Sequence, residues 1–276
     1  MKLATIRDGG ATRAVRVDGD ILTDLGSADL GEFLARPGWR EQAETAQGET
    51  YRLEDVTFAP LIPDPSKIVC VGLNYKSHIE EMDRPLPEYP TLFSKFSDTL
   101  VGATDDISRP AETDAFDWEA ELTVVIGADA RRVTGADAEA AIAGFTVMND
   151  ITVRDWQFRT REWMQGKNWD SSTPVGPIMV TPDELPGGVR PDLAITCHVD
   201  GEEMQSSRTS DLLFDPVDLV EYVSTMIRLR PGDLIATGTP GGVGNARDPK
   251  IFLHEGQTVV CEVEGIGKVS NAVVDG

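Results

Sequence analysis

The 276-residue sequence predicts a β-rich α+β fold. Short segments of alternating apolar and polar residues, separated by Gly, Pro and Asp turn signals, dominate the chain. Helical patterns are few, and strands and helices do not alternate regularly, which argues against a doubly wound parallel sheet. A hydrophobic fraction of 40% is enough for a sizeable core.

The N-terminal segment predicts a small antiparallel meander, because Asp8-Gly9 and Asp18-Gly19 separate three alternating stretches. A looser helical pattern follows over residues 27–47. The proline-rich PLIPDPSK, residues 60–67, predicts an extended connector. We therefore expect a small N-terminal domain over residues 1–60 and a main domain over 67–276.

In the main domain, Asn74 is a candidate cap for a helix over 75–82, and the alanine-rich 135–144 predicts a second helix. A third begins after Asp215, with Pro216 at its first position and Asp218 in its first turn. An Asp200-Gly201 turn predicts a hairpin. Strands are predicted at 68–71, 92–95, 121–126, 145–148, 193–199, 203–205, 234–236, 258–263 and 268–274.

The charge balance limits the possible partners, because 25 basic residues against 47 acidic ones give a net charge of -22. Such a surface repels phosphate backbones, so we expect no nucleic-acid partner. A small acid would need local cations or a metal ion. The three cysteines lie singly in apolar runs, and no apolar stretch approaches membrane-spanning length. We expect a cytoplasmic protein with no membrane partner.

Acidic residues at predicted strand ends suggest a metal site. In DWEAELTVVIG, Glu119 and Glu121 share one face of a strand about 7 Å apart. Asp150 ends a second apolar run, GFTVMND. Three carboxylates without thiol or imidazole suit Mg²⁺, Mn²⁺ or Ca²⁺ rather than zinc. The alternative is that these acids are simply solvated, as strand-end acids in an acidic chain usually are.

Four further residues are candidates for the chemistry. His78 and Glu81 are three apart on a predicted helix, which suits a general base with an orienting acid, although such a pair on its own is more often a surface ion pair. Lys167 lies in a tryptophan-rich segment that either covers a core or offers a lysine to an anion. Gln157, seven residues after Asp150, faces the same side if a helix begins there.

The glycine-rich TGTPGGVG, residues 237–244, lacks the signature of a phosphate-binding loop. It either brings Thr239 and backbone N–H groups to a small carboxylate or forms a plain turn.

Together these segments resemble the fumarylacetoacetate hydrolase family, most closely its short members that act on acylpyruvates and related 2-oxo acids. The resemblance covers roughly residues 67–271. It rests on VGLNYKSHIEEM, PTLFSKFSDTLVG, the Glu119-Ala-Glu121 pair, GFTVMNDITVRDWQ, GKNWDSSTPVGP, VDGEEMQSSRTSDLLF and LRPGDLIATGTPGGVG. Family members often carry proline after the lysine that matches Lys95, where this chain has Phe96.

The resemblance implies a mixed β-roll or sandwich catalytic domain, a small N-terminal α/β domain and a homodimer. It implies that Mg²⁺ or Mn²⁺ is held by Glu119, Glu121 and Asp150, and that a water-activating dyad is formed by His78 and Glu81. Substrate contacts are implied for Lys95, Gln157, Lys167 and Thr239.

The function it implies is hydrolysis of a carbon–carbon bond in a 2,4-dioxo acid, through a pyruvate enolate at the metal. The same site would serve decarboxylation of oxaloacetate or of a tricarboxylic oxo-acid, or isomerisation of a hydroxymuconate-type dienoate. The dyad favours hydrolysis, because only hydrolysis needs an activated water. The alternative from a different class is a non-catalytic domain that binds Ca²⁺ for structure.

Overall fold

The computed structural model of the protein describes residues 1–81 and 85–276, with the backbone alone at 78 and 81. The N-terminal segment forms the predicted meander, since each of its first three strands pairs antiparallel with the next. Its elements are β1 (Lys2–Asp8), β2 (Ala11–Asp18), β3 (Ile21–Asp24), α1 (Leu30–Leu34), α2 (Trp39–Thr45), β4 (Thr50–Arg52) and β5 (Thr57–Phe58).

The middle of the chain alternates longer strands with short helices. Its elements are β6 (Ile68–Gly72), α3 (Lys76–Glu81), β7 (Thr91–Lys95), β8 (Leu100–Val101), β9 (Ile107–Arg109), β10 (Phe116–Asp117), β11 (Ala120–Ile126), α4 (Ala136–Ala140), β12 (Ile142–Asn149), β13 (Thr152–Val153), α5 (Arg154–Gln157), α6 (Met164–Lys167) and β14 (Thr173–Val180).

The C-terminal part contains the predicted hairpin and the longest helix. Its elements are β15 (Ala194–Val199), β16 (Glu202–Arg208), α7 (Pro216–Met226), β17 (Leu234–Ala236), β18 (Thr258–Val263) and β19 (Gly267–Asp275). One-turn 3-10 helices lie at Leu53–Asp55, Ser97–Thr99, Pro182–Glu184, Thr209–Asp211 and Gly244–Ala246.

Two large sheets enclose the main core. One has the path β4-β3-β2-β1-β14-β12-β11-β17-β6-β7, with β5 and β8 attached to β1 and β14; the other has the order β16-β15-β18-β19-β9. The central strands β11 and β12 pack on β15 and β18 and are buried along their whole length. Helix α1 packs on the other face of the sheet, so both faces of these strands are buried. Their sequences are therefore mostly apolar and show almost no alternation with polar residues. The predicted β-rich α+β fold is confirmed.

Strand β1 also joins the N-terminal meander to the main sheet, with Leu3 opposite Met179 of β14. The meander therefore extends that sheet. Residues 60–67 contain neither helix nor strand. The division into domains 1–60 and 67–276 stays a prediction.

Local signals predicted some elements better than others. The Asp200-Gly201 turn has φ of 50° and 85° at its two residues, as a two-residue hairpin requires. At α7, Asp215 accepts the Val217 and Asp218 N–H groups, and the Asp218 carboxylate accepts the Asp215 N–H, which confirms the predicted cap.

The alanine-rich helix is present but shorter than expected, and the expected cap of α3 was wrong. The alanine-rich helix ends at Ala140, because the following residues pair with β11 as strand β12. Asn74 was expected to cap α3, but its side chain donates to the Phe214 and Thr237 carbonyls. The Asp211 carboxylate instead accepts the Ser77 N–H near the start of α3. Among the described helices, none is long and apolar enough to cross a membrane.

Candidate active site

Glu119, Glu121 and Asp150 converge in the interior. Glu119 directly precedes β11, Glu121 is its second residue, and Asp150 directly follows β12, with which β11 pairs antiparallel. One carboxylate oxygen from each of the three lies within 4.8 Å of the others. All three are buried, so the solvated alternative does not hold. The sequence spacing thus predicted a real cluster.

Buried cations surround this cluster. The Lys167 ammonium lies 2.8 Å from Glu119 Oε2 and 2.6 Å from Asp150 Oδ2, and it bridges the two carboxylates. Lys95 Nζ lies 2.8 Å from Asp150 Oδ1 and donates to the Ile151 carbonyl. Arg154 Nη2 lies 2.7 Å from Glu119 Oε1. Glu119 and Asp150 are therefore each neutralised twice.

Glu121 is left as the poorly compensated acid. Burial raises its pKa well above the usual range, and the neighbouring Asp150 and Glu119 carboxylates raise the pKa further. The Gly238 N–H donates to Glu121 Oε2 at 2.8 Å. For Asp150, burial also raises the pKa, but the Lys167 and Lys95 ammonium groups outweigh burial and lower the pKa below the usual value.

Lys167 keeps its proton. Burial lowers its pKa, but the Asp150 and Glu119 carboxylates outweigh this effect, and the pKa is raised overall. The group is therefore a fixed positive charge and neither a base nor a Schiff-base nucleophile near neutral pH.

The donor set fits a hard divalent cation. Only carboxylate oxygens are offered, they are already clustered, and a bound ion would compensate the negative charge that burial and the neighbouring carboxylates disfavour on Glu121. Mg²⁺, Mn²⁺ and Ca²⁺ all suit such oxygen ligands. A divalent-metal site of these three residues is consistent with the geometry, and the identity of the metal stays a prediction.

A second buried acid, Asp117, joins the site to the glycine-rich segment. Its carboxylate accepts from Arg154 Nε at 2.7 Å, from the Gly244 N–H at 2.7 Å and from the Asn245 N–H at 3.0 Å. Neither Asp117 nor Arg154 was among the sequence candidates. The signal was present, because Asp117 continues the alternation of Glu119 and Glu121 by two residues.

Gln205 holds Thr239 in place. Its amide oxygen accepts the Ala120 N–H at 2.9 Å, and its Nε2 donates to Thr239 Oγ1 at 2.8 Å and to the Pro240 carbonyl at 2.9 Å. Thr239 Oγ1 in turn donates to the Ala120 carbonyl at 2.9 Å. The hydroxyl proton is thus already used, so Thr239 can offer the cavity an acceptor or its backbone, and not an O–H donor.

A cavity of about 200 Å³ lies against this network. Among the described residues, its polar lining consists of Glu119, Arg154, Gln157, Lys167, Thr239 and Asn245. The predicted contacts Gln157, Lys167 and Thr239 therefore meet at one cavity. Lys95 forms an ion pair with the Asp150 carboxylate and is not among the described residues lining the cavity. Its contact with substrate stays a prediction. The side chains of His78 and Glu81 and residue Arg84 lie outside the described residues.

The chain is similar to known proteins in sequence. Residues 67–274 match the family model described as fumarylacetoacetate (FAA) hydrolase C-terminal. The mitochondrial oxaloacetate tautomerase FAHD2A of Bos taurus is 44% identical over 222 residues, which cover 80% of this chain and 70% of that protein. The fumarylacetoacetate hydrolase domain-containing protein 2 homolog of Dictyostelium discoideum is 41% identical over 220 residues, 76% of this chain and 72% of that protein.

Solved structures extend the likeness to the whole chain. The fumarylacetoacetate hydrolase of Exiguobacterium antarcticum superposes with a TM-score of 0.89 at 32% identity and covers 100% of both chains. The 5-carboxymethyl-2-hydroxymuconate delta-isomerase of Mycobacterium smegmatis superposes with a TM-score of 0.82 at 34% identity, over 100% of this chain and 99% of that one.

Proposed function

Because the chain belongs to the fumarylacetoacetate hydrolase family, we propose that it is a divalent-metal-dependent enzyme that moves a proton on a small 2-oxo acid. The reaction is interconversion of keto and enol forms, with oxaloacetate as the reference substrate. The single observation that carries this proposal is the carboxylate trio beside the Lys167 ammonium, with Glu119 and Lys167 at the wall of a cavity of small-molecule size.

In this proposal Glu119, Glu121 and Asp150 hold Mg²⁺ or Mn²⁺, and the ion supplies Lewis-acid polarisation of the 2-oxo acid head. The protein supplies charge and order around that head. Lys167 keeps its ammonium next to the oxygen on which negative charge develops when C3 loses its proton. Gln157 and the Thr239 backbone orient the acid, while the buried surroundings exclude water.

The proton at C3 needs a base. Among the described residues lining the cavity, Lys167 is held protonated and Arg154 carries a guanidinium with its pKa raised, since the Asp117 and Glu119 carboxylates outweigh the effect of burial. The Glu119 carboxylate also lines the cavity, but it is engaged by both of these cations and is assigned to the metal. We assign the proton transfer to His78, oriented by Glu81. The C3–H bond breaks, its electron pair forms the C2=C3 bond, and the 2-oxo oxygen receives a proton.

The relatives favour proton transfer over the hydrolysis that the sequence alone favoured. One relative is named an oxaloacetate tautomerase and one solved neighbour a delta-isomerase. Both chemistries need enolate stabilisation, which the described groups support. Carbon–carbon hydrolysis of acylpyruvates remains the second candidate, because the same His78 and Glu81 pair would activate a water. Decarboxylation of oxaloacetate would also pass through the same charge distribution.

The experiment follows oxaloacetate in Mg²⁺ by the ultraviolet absorbance of its enol, and by pyruvate formation for decarboxylation. Acetylpyruvate and fumarylpyruvate are assayed in parallel for hydrolysis. Enol–keto conversion that is lost in His78→Ala supports the proposal. Hydrolysis without tautomerisation would make the enzyme a hydrolase. Inactivity towards every 2-oxo acid, with Ca²⁺ still raising the melting temperature, would instead favour the calcium-binding domain.

Several expectations remain outside these findings. The homodimer, a role in aromatic compound catabolism and the cytoplasmic location stay predictions. The tautomerase of Bos taurus is mitochondrial, which differs from the location expected for this chain.

A further inference from the structure

The apolar wall of the cavity is built around one close packing contact. Gly72, the last residue of β6, faces the ring of Trp163, and a Cβ placed on Gly72 would lie 2.3 Å from Trp163 Cζ3 and 2.7 Å from Cη2. No such approach is possible for a residue with a side chain unless the indole moves. Both residues line the cavity, so the contact decides how far the cavity reaches in this direction.

Aromatic contacts connect this wall to the charged end. The Lys167 ammonium lies 4.9 Å from the centroid of the Phe93 ring, which it faces in a cation–π contact. Phe93 and Trp163 pack edge to face, with centroids 5.4 Å apart. These contacts form a continuous aromatic path from the Lys167 ammonium to Trp163.

We propose that Trp163, seated on Gly72, is the residue that limits the size of the substrate beyond its 2-oxo acid head. This inference rests on the proposed function and adds its substrate class. The class is 2-oxo acids with short, unbranched tails, and acids with aryl or branched tails are excluded by the indole. Around the tail the cavity is apolar, with Val71, Phe158 and Val243 among its lining.

The test measures both affinity and turnover in Mg²⁺. Calorimetry gives the Kd of oxalate, which has a head and no tail, and of 2,4-dioxo-4-phenylbutanoate, which has an aryl tail. Trp163→Ala should improve the affinity and the kcat/KM for the aryl acid, relative to oxaloacetate, by about tenfold or more. The Kd of oxalate should stay within about twofold. Trp163→Phe should fall between the wild type and Trp163→Ala.

Gly72→Ala provides a double-mutant cycle. In the wild type the new methyl group displaces the indole. The substitution should therefore change the selectivity ratio, which is the kcat/KM for the aryl acid divided by the kcat/KM for oxaloacetate. In the Trp163→Ala background the same substitution should change that ratio less than about twofold. Trp169→Ala is the matched control, because Trp169 packs on Trp156 and is not among the described residues lining the cavity.

Melting temperatures establish that each variant is folded. If Trp163→Ala does not fold, the selectivity ratios of the single variants Trp163→Phe and Gly72→Ala test the role of Trp163. An unchanged selectivity ratio in a folded Trp163 variant, or an equal effect of Gly72→Ala in both backgrounds, would overturn the inference. Absence of turnover by the wild type would overturn the proposed function instead, while the affinity series would still decide the role of Trp163.

Discussion

Replacing Lys167 by methionine removes the ammonium group that bridges Glu119 and Asp150, while it keeps a similar buried volume. Removing one partner of a buried ion pair costs about 3–5 kcal/mol. Asp150 keeps Lys95 at 2.8 Å and Glu119 keeps Arg154 at 2.7 Å, so we expect a loss near the lower end, about 3 kcal/mol at pH 8. In the variant, burial still raises the pKa of the Asp150 carboxyl while one of the two ammonium groups that lower it is gone, so Asp150 takes up a proton more readily as the pH falls. The loss should therefore shrink at pH 5.

Magnesium ion should restore much of this stability, because it supplies the missing positive charge. A ligand at about 100 times its Kd stabilises the folded state by about 2.7 kcal/mol. In the wild type the ion competes with the Lys167 ammonium for Glu119 and Asp150, so the variant should bind Mg²⁺ at least as tightly as the wild type. It should nevertheless lose turnover, because the charge beside the substrate is gone.

The assay is urea unfolding at pH 5 and pH 8, with and without Mg²⁺, alongside calorimetric titration of the ion. Lys268→Met, at an exposed lysine of β19, is the control. A Lys167→Met protein as stable as the wild type at pH 8, or one that binds Mg²⁺ ten times more weakly, would refute the reasoning.

Three further predictions concern neighbouring residues. Between pH 5 and pH 8 the metal-free protein should lose thermal stability, because the raised pKa of Glu121 means that the folded state binds the proton more tightly than the unfolded state. The rise in melting temperature on adding Mg²⁺ should grow over the same range, and Glu121→Gln should remove both trends. Gln205→Leu should cost about 2–4 kcal/mol in urea unfolding and raise KM, because it frees the Ala120 N–H and Thr239; Gln205→Glu should also be destabilised, because its second carboxylate oxygen would face the Pro240 carbonyl, and a Gln205→Leu protein as stable as the wild type would contradict this role. Thr239→Val should cost about 1 kcal/mol and change KM less than about threefold, because the hydroxyl proton already goes to a carbonyl; a tenfold rise in KM would show that substrate uses the hydroxyl.

The sequence was informative where the controlling interaction is local. The alternation of Glu119 and Glu121 follows from the two-residue period of a strand, and Asp150 was found because it ends an apolar run. The cap at Asp215 and the Asp200-Gly201 hairpin depend on residues within a few positions of each other. Each of these therefore leaves a pattern in the printed sequence.

Interactions between distant segments left no such pattern. Gln205 comes from β16 of the five-stranded sheet, yet it binds Ala120 of the other sheet, and nothing near it in the sequence indicates this partner. The expected Asn74 cap was wrong for the same reason, because Phe214 and Thr237 take its side chain. The Gly72 and Trp163 contact joins residues more than ninety positions apart.

The most direct test of the metal centre is the anomalous density of crystals soaked in Mn²⁺. The account predicts one peak within coordination distance of oxygens from Glu119, Glu121 and Asp150, with the Lys167 ammonium moved out of the space between Glu119 and Asp150. No peak there in crystals that take up the ion elsewhere, with Lys167 still bridging the two carboxylates, would contradict it.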